Sequence, residues 1–255
     1  MTRTIAITGS ASGLGAAVRA RLEAGGARVI GVDLRDADVV ADLSSTEGRD
    51  AAVAGVLAAS GGVLDGFVPC AGLGPQVPDH ALIASVNYFG FLATLDGLFG
   101  ALAKGTDAAA VAISSNSTTI DPTVDAALVA ACVEADESAA RARAVELEGW
   151  TVYASTKVGV ARTVRRRVSE WGAVGVRVNA VAPGPFESPL LQGGRDHPVL
   201  GQFIDALPVP TGRIGEPDEV AAVIEFLLSP AAAYVHGSIV FVDGGIDAQI
   251  NPDSI

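Results

Sequence analysis

The stretch TIAITGSASGLGAAVRARLEAGGARVIGVD, Thr4 to Asp33, decides how the rest of this chain is read. Thr4 to Thr8 is a short β-branched run ended by a glycine. The residues after the turn change to a helical period, with Val18 and Leu22 on one face. A second apolar run, ARVIGVD, ends at Asp33. Strand, glycine turn, helix and strand make a βαβ unit, the opening of a parallel sheet.

Gly9, Gly13 and Gly15 fit the spacing TGxxxGxG. Glycines there let the backbone turn tightly and approach a pyrophosphate, whose charge is met by the N–H groups and dipole at the helix start. A strand before, a helix after and an acid about 20 residues on turn a weak triplet into a dinucleotide site. Asp33 can accept hydrogen bonds from the adenosine ribose of NAD but repels a 2′-phosphate, so NAD is the expected cofactor. Arg35 is the nearest cation that could oppose this preference. Asp42, in ADLSS, is placed either to meet the adenine amino group or to cap the following helix.

The chain has 255 residues, enough for a substantial core in a single domain of this class. With 29 acidic and 17 basic residues its formal charge is −12, which offers no basic field for nucleic acid. Two cysteines, Cys70 and Cys132, make no disulfide framework, and His80, His197 and His236 have no zinc-ligand spacing, so no metal is expected. The start, MTRTIAITGS, is too short for a secretory core. No run of about 20 residues lacks charge or Gly/Pro punctuation, as a membrane span requires. A cytoplasmic protein with no membrane partner is expected.

Further along, DGFVPCAGLG reads as a buried strand entering a glycine loop, SVNYFGFLATLDGLFGALA as an apolar helix, and AAAVAISS as a strand delivering Ser114 and Ser115. Ligands of open parallel sheets lie beyond the carboxyl ends of the strands, where these serines fall. GVRVNAVAPGPFESPLL gives another strand, ending in Pro183–Gly184, and GSIVFVDGG a last one. In YASTK, Tyr153 and Lys157 share a helix face if helical, about 5–6 Å apart. That spacing alone also describes an aromatic anchor beside a solvated lysine.

Together these runs resemble the short-chain dehydrogenase/reductase family over the whole chain. TGxxxGxG at Thr8–Gly15, AG at Ala71–Gly72, VN at Val86–Asn87, ISS, YxxxK, PG with Ser188 following, and VDGG at Val242–Gly245 occur in the family's order. Two departures stand out. VPCAG replaces the usual Asn-Asn-Ala-Gly, and Ser115 precedes Tyr153 by 38 residues where roughly a dozen is usual. The expected fold is therefore α/β, one Rossmann-type doubly wound parallel sheet over residues 1–255, with a helical insertion at about 121–149 and a substrate loop at about 186–212.

The spacer Asp121–Gly149 carries Val124, Leu128 and Cys132 at i, i+4 and i+8, then an Ala/Glu/Arg-rich stretch, which reads as two short helices. Its seven acidic and two basic residues hold five of the twelve net negative charges, so a mostly solvated insertion is expected. Loop ends can meet in space however long the loop, so Ser115 and Tyr153 can still face each other. The insertion, with VDLRDADVVADLS, CAGLGPQ, VNYFG and VDGGIDA, resembles the bacterial 3α-hydroxysteroid dehydrogenase/carbonyl reductase subgroup. Coniferyl-alcohol dehydrogenases share the general layout.

The resemblance implies a catalytic set of Asn87, Ser115, Tyr153 and Lys157. Tyr153 is the proton donor to a carbonyl, and Lys157 with the nicotinamide cation supplies the positive field a phenol needs near neutrality. Lys157 also binds the nicotinamide ribose, Ser115 holds the substrate oxygen, and Asn87 steadies a proton-relay water or serves only as a helix hydrogen-bonder. It also implies NAD contacts at Gly9, Ser12, Gly13, Leu14, Gly15, Asp33, Asp42, Leu43, Cys70, Ala71 and Gly72. Tyr153, Lys157, Pro183, Gly184, Phe186 and Ser188 complete that set.

Leu73, Pro75, Leu190, Leu191, Pro198, Leu200 and Phe203 are either substrate walls or loop packing. Apolar walls favour a bulky hydrophobic alcohol or ketone, and the resemblance implies a 3-hydroxy or 3-oxo steroid or another cyclic or aromatic carbonyl. A non-catalytic NAD-binding scaffold is the reading from another class, and no catalytic position is damaged to favour it. The insertion should crowd one of the family's two subunit contacts. The apolar stripe Val220, Val223 and Phe226 or Leu227, with the last strand, should then build a homodimer around residues 218–250.

Overall fold

A computed structural model describes residues 2–254; the first and last residues of the expected domain lie outside it. Seven strands, β1 (Thr4–Thr8), β2 (Arg28–Asp33), β3 (Val39–Val40), β4 (Gly66–Pro69), β5 (Ala109–Ile113), β6 (Arg177–Pro183) and β7 (Ile239–Val242), form one sheet in the order β3-β2-β1-β4-β5-β6-β7. Every pairing is parallel. The chain leaves β1 in one direction and returns on its other side with β4, so the order reverses there and a crevice opens beyond the strand ends.

Side chains alternate across each strand, and helices cover both faces. On β1, Ala6 faces one core while Ile5 and Ile7 face the other; on β5, Ala110 and Ala112 oppose Ala109 and Val111. The Ile5/Ile7 face is covered by α1 (Gly13–Ala24) and α11 (Pro217–Leu228). The Ala6 face is covered by α2 (Thr46–Ser60), α3 (His80–Ala84), α4 (Phe91–Leu102) and the long α8 (Gly149–Ala173). Each fully buried Ile or Leu contributes about 1.5–3 kcal/mol, so the two layers carry most of the stability. The run expected as one apolar helix opens with a π-helical turn, Ser85–Gly90, that contains Asn87 and leads into α4. The stretch His80–Leu102 is long and apolar enough to cross a membrane, yet 61% of its most apolar window is buried inside this fold.

Between α5 (Ser117–Ile120) and α8, the insertion forms α6 (Ala126–Val133) and α7 (Glu137–Val145), the two helices expected. Asp125 caps α6 through Leu128 N, and Asp136 caps α7 through Ala139 N. Most of the insertion's surface is exposed, as its charge implies, but its inner face is not. Leu128, Cys132, Ala140 and Ala144 are fully buried and belong to the core under the Ala6 face. Several of its acids serve as caps and ion pairs: Arg143 grips Asp125 at 2.7 Å, and Arg49 of α2, itself buried, forks onto Glu137 at 2.6 and 2.8 Å.

The substrate loop contributes α9 (Pro189–Arg195) and α10 (Leu200–Asp205), and α12 (Ile246–Ile250) follows β7. On α11, Val220 and Leu227 turn into the core instead of joining an outer stripe, because they share the inward face with Ala221 and Ile224. Phe226 remains 46% exposed, and the edge strand beside it exposes Phe241.

Candidate active site

Ends of β1, β4, β5 and β6 open into a cleft of about 470 Å³ that runs between the glycine turn, the start of α8 and the substrate loop. Of the residues expected to be catalytic or to hold the cofactor, all but Asn87 line it. Gly15 must lack a side chain, since a Cβ there would lie 2.0 Å from Gly9 O. Gly13 has φ +51°, and its missing Cβ would face Ser188 and Pro189 of the substrate loop across about 4 Å. Ser12 is the N-cap of α1 yet makes no side-chain cap bond, which leaves its hydroxyl and the first N–H groups of the helix directed at the cleft.

Asp33 lies at the end of β2. Its Oδ2 accepts from Ala11 N at 2.9 Å and its Oδ1 from Leu34 N at 2.7 Å. Each carboxylate oxygen keeps a lone pair for a further donor. Arg35 is exposed and does not line the cleft. Asp42 lines it without capping α2: its Oδ1 accepts from Ser44 N, and Ser45 is the cap, accepting from Gly48 N at 3.1 Å. A dinucleotide thus fits this half of the cleft on the geometry of the chain itself: a glycine cradle, a helix start with a free hydroxyl, and acceptor oxygens placed for a ribose.

The other half gathers the reactive groups. Ser114 and Ser115 leave β5 with different fates. Ser114 Oγ donates to Lys157 O at 3.0 Å and is buried, a strut between sheet and helix. Ser115 Oγ accepts from Ser117 N at 3.1 Å and meets the Tyr153 hydroxyl. Lys157 lies one turn beyond Tyr153 on α8. Its Nζ donates to Ile113 O at 3.0 Å and stands 5.5 Å from the centre of the Tyr153 ring.

Burial sets the protonation of this pair. It brings the Lys157 ammonium down to about 8, with only slight opposition from Cys70. It also raises the Tyr153 phenol above its ordinary value, partly offset by the hydrogen bond with Ser115. Burial is thus the largest effect on the phenol within the protein alone, and the positive field expected there is that of Lys157 and the nicotinamide cation together. Cys70, beside them, is pushed up to about 12 by burial and is a neutral thiol.

Asn87 is placed behind the cleft by the π-helical turn. Its Oδ1 accepts from Leu73 N at 2.7 Å and its Nδ2 donates to Leu73 O at 3.0 Å, a clamp on the loop after β4. It thus bonds to a loop backbone and not within its own helix. Gly72 lies between Asn87 and Lys157, and a Cβ there would make ordinary contact with both, 3.4 Å from Asn87 Oδ1 and 3.8 Å from Lys157 Nζ.

On the far side of Pro183 and Gly184, the chain at Phe186 pairs with Gly215, and Ser188 caps α9 by accepting from Leu191 N at 3.1 Å. Of the expected walls, Leu73, Pro75, Leu190 and Leu191 line the cleft, whereas Pro198, Leu200 and Phe203 do not. Helix α10 is rotated so that Phe203 is exposed and Ile204 faces inward; Leu207 follows it into the cleft. Trp150, Ile120 and Asp121 complete the wall and were missed. Trp150 had a signal, since it precedes Tyr153 by three residues and so shares its helix face.

Comparison with known proteins agrees with this geometry. A family model described as enoyl-(acyl carrier protein) reductase matches residues 9–247. The chain is 47% identical over 253 residues to the 3-alpha-hydroxysteroid dehydrogenase/carbonyl reductase of Comamonas testosteroni, covering 97% of this chain and 98% of that one. It is 34% identical over 269 residues to the cis-4-hydroxycyclohexanecarboxylate dehydrogenase of Sinomonas cyclohexanicum, covering 96% and 97%. The crystal structure of a 3-alpha-hydroxysteroid dehydrogenase from Pseudomonas sp. B-0831, complexed with NADH, superposes with a TM-score of 0.97 at 45% identity over 99% of this chain and 100% of that one.

Proposed function

The chain belongs to the short-chain dehydrogenase/reductase family and is an NAD(H)-dependent oxidoreductase, and on that premise we propose that it interconverts a hydrophobic cyclic secondary alcohol and its ketone, most specifically a 3α-hydroxysteroid and its 3-oxo form. The observation that carries this reading is the placement of Ser115, Tyr153 and Lys157 at one end of a cleft whose further wall is Trp150, Ile120, Leu190, Ile204 and Leu207. An apolar slot of that kind binds a fused-ring or aromatic skeleton and leaves its carbonyl at the polar end.

NAD(H), when bound, supplies hydride transfer at its nicotinamide. Asp33, Ser12 and the glycine turn hold its adenosine and pyrophosphate portions, and Lys157 with the Pro183–Ser188 turn holds the nicotinamide portion. The rest is the work of side chains. Ser115 donates a hydrogen bond to the substrate oxygen and fixes it against the Tyr153 hydroxyl. In reduction, Tyr153 gives its proton to the oxygen as negative charge develops there, and in oxidation it takes that proton back. Lys157, protonated at neutral pH, lies beside the phenol and stabilises the phenolate left behind. Asn87 anchors Leu73 and so keeps the loop that forms one side of the substrate slot in register.

The subunit reading is likewise a proposal: a homodimer through α11 and β7. Exposed Phe226 and Phe241 support it, and so does the insertion lying over α3 and α8. The test of substrate class is a panel of 3α-hydroxysteroids, aromatic ketones and cinnamyl-type alcohols scored by NADH absorbance. Preferred turnover of the steroids supports the proposal; turnover of cinnamyl alcohols alone would replace it with a coniferyl-alcohol-type activity.

A further inference from the structure

The long helix α8 starts without a cap of its own. Glu148, its N-cap, makes no side-chain bond to the first turn, although that turn carries Trp150 and leads to Tyr153. A helix start left so frays more readily than one whose first N–H groups are met by a side chain. The restraint comes from outside the helix. His80, the first residue of α3, meets Leu147 O through Nδ1 at 2.7 Å, two residues before α8 begins. A carbonyl oxygen only accepts, so Nδ1 carries the hydrogen and donates.

Both ends of this tie are anchored. Asp79 caps α3 by accepting from Leu82 N at 3.0 Å, and Ala81, Ile83 and Ala84 of the same short helix are buried. Leu147 packs against the core. Between the two ends, Gly149 is nested so closely that a Cβ there would collide with Pro75 O and lie 3.2 Å from His80 Nε2. Pro75 and Trp150 both line the cleft, whereas His80 does not. The imidazole therefore joins two walls of the substrate half from outside the lining.

From this arrangement we propose that His80 is a positioning residue for substrate recognition: it fixes the start of α8, so that Trp150 stands as a rigid wall against the ring skeleton of the substrate. The inference rests on the proposed reaction and adds to it a residue that acts without touching the substrate. A ring surface laid on a preorganised indole keeps the whole of its contact energy, whereas one that must first order the turn loses part of it to conformational entropy. The loss falls on binding. Tyr153, a turn further on and hydrogen-bonded to Ser115, keeps its place for proton transfer.

The test compares the natural chain with His80→Phe, which keeps a ring but removes the donor, and His80→Asn, whose amide N–H can restore it. KM for a neutral 3-oxosteroid and for 2-acetonaphthone should rise by about fivefold or more in His80→Phe, with kcat and the NADH dissociation constant little changed, and return toward the natural value in His80→Asn. In Trp150→Ala the wall is already gone, so adding His80→Phe should raise KM no further. His80→Ala serves the same comparison should the phenyl ring disturb the fold. A loss of equal size with and without Trp150, or a fall in kcat with KM unchanged, overturns the assignment.

The chain's two tryptophans give a reading that needs no substrate. Trp171 is buried in the core, so acrylamide quenching reports mainly on Trp150 and should increase in His80→Phe and revert in His80→Asn. Unchanged quenching contradicts the role of His80 whatever the substrate proves to be. Increased quenching with turnover of neither ketone refutes the proposed reaction and leaves the role of His80 supported.

Discussion

Lys157 Nζ and the Tyr153 ring are 5.5 Å apart on one face of α8, and the ammonium is tied to Ile113 O at 3.0 Å and not to the phenol oxygen. The lysine therefore acts on the tyrosine through space, as a fixed charge, while its own geometry is set by the sheet. Both groups carry a burial cost that opposes their charged forms.

One consequence is a stability trade. Burial lowers the folded-state value of Lys157 from 10.5 to about 8. Between about 8 and 10.5 the unfolded chain binds the proton and the folded chain does not, so stability rises with pH across that window and the penalty is fully present below it. Lys157→Met should stabilise the cofactor-free protein at pH 7 by about 1–3 kcal/mol, seen as a raised melting temperature, while removing turnover. A melting temperature lowered by that change would show that the bond to Ile113 O outweighs desolvation.

Ketone reduction should follow the same groups. Activity should be flat from about pH 6 to 8 and fall above about 8, where Lys157 loses its proton and its field. Alcohol oxidation releases a proton and should be favoured at alkaline pH. A reductive profile that instead climbs through pH 8–10 contradicts the role given to the ammonium.

Asp33 is expected to set cofactor choice. Asp33→Ala removes the acceptor and the like charge that repels a 2′-phosphate, and should shift the NAD-to-NADP ratio of kcat/KM toward NADP by about tenfold to a hundredfold. An enzyme that already prefers NADP before the change would refute this reading.

The Arg49–Glu137 fork joins the insertion to α2. Glu137 is held below the ordinary carboxylate range: burial pushes it up, but hydrogen bonds and charge from Arg49, Ser85 and Arg141 prevail. A depressed carboxylate contributes stability that is present above its unfolded value and lost as pH falls through the folded one. Glu137→Gln should lower the urea midpoint at pH 7 by the equivalent of about 2–3 kcal/mol, less than a fully buried pair would lose because the carboxylate is 28% exposed. The difference should vanish at acid pH, and a difference that persists there assigns the effect to packing.

How much of this was legible beforehand depended on whether the signal was local. The glycine turn, β1 to β2 and Asp33 were legible because period and turn chemistry act within about 30 residues. The proposed catalytic trio was legible through its motifs, and the two insertion helices through the period of Val124, Leu128 and Cys132 and the Ala/Glu/Arg-rich stretch after it. The burial of their inner faces was not, since a charge count cannot show that Glu137 answers Arg49 from α2. The wall residues Ile204 and Leu207 were hidden for a related reason. The rotation of a six-residue helix is set by what it packs on, not by its own period.

The most direct test of the account is a comparison of the natural chain with Tyr153→Phe, using NAD and a neutral 3α-hydroxysteroid, with turnover followed by NADH absorbance and NADH binding by fluorescence. Turnover should fall by about a hundredfold to ten-thousandfold while NADH binds nearly as before, since only the proton donor is lost. Undiminished turnover in Tyr153→Phe would contradict it.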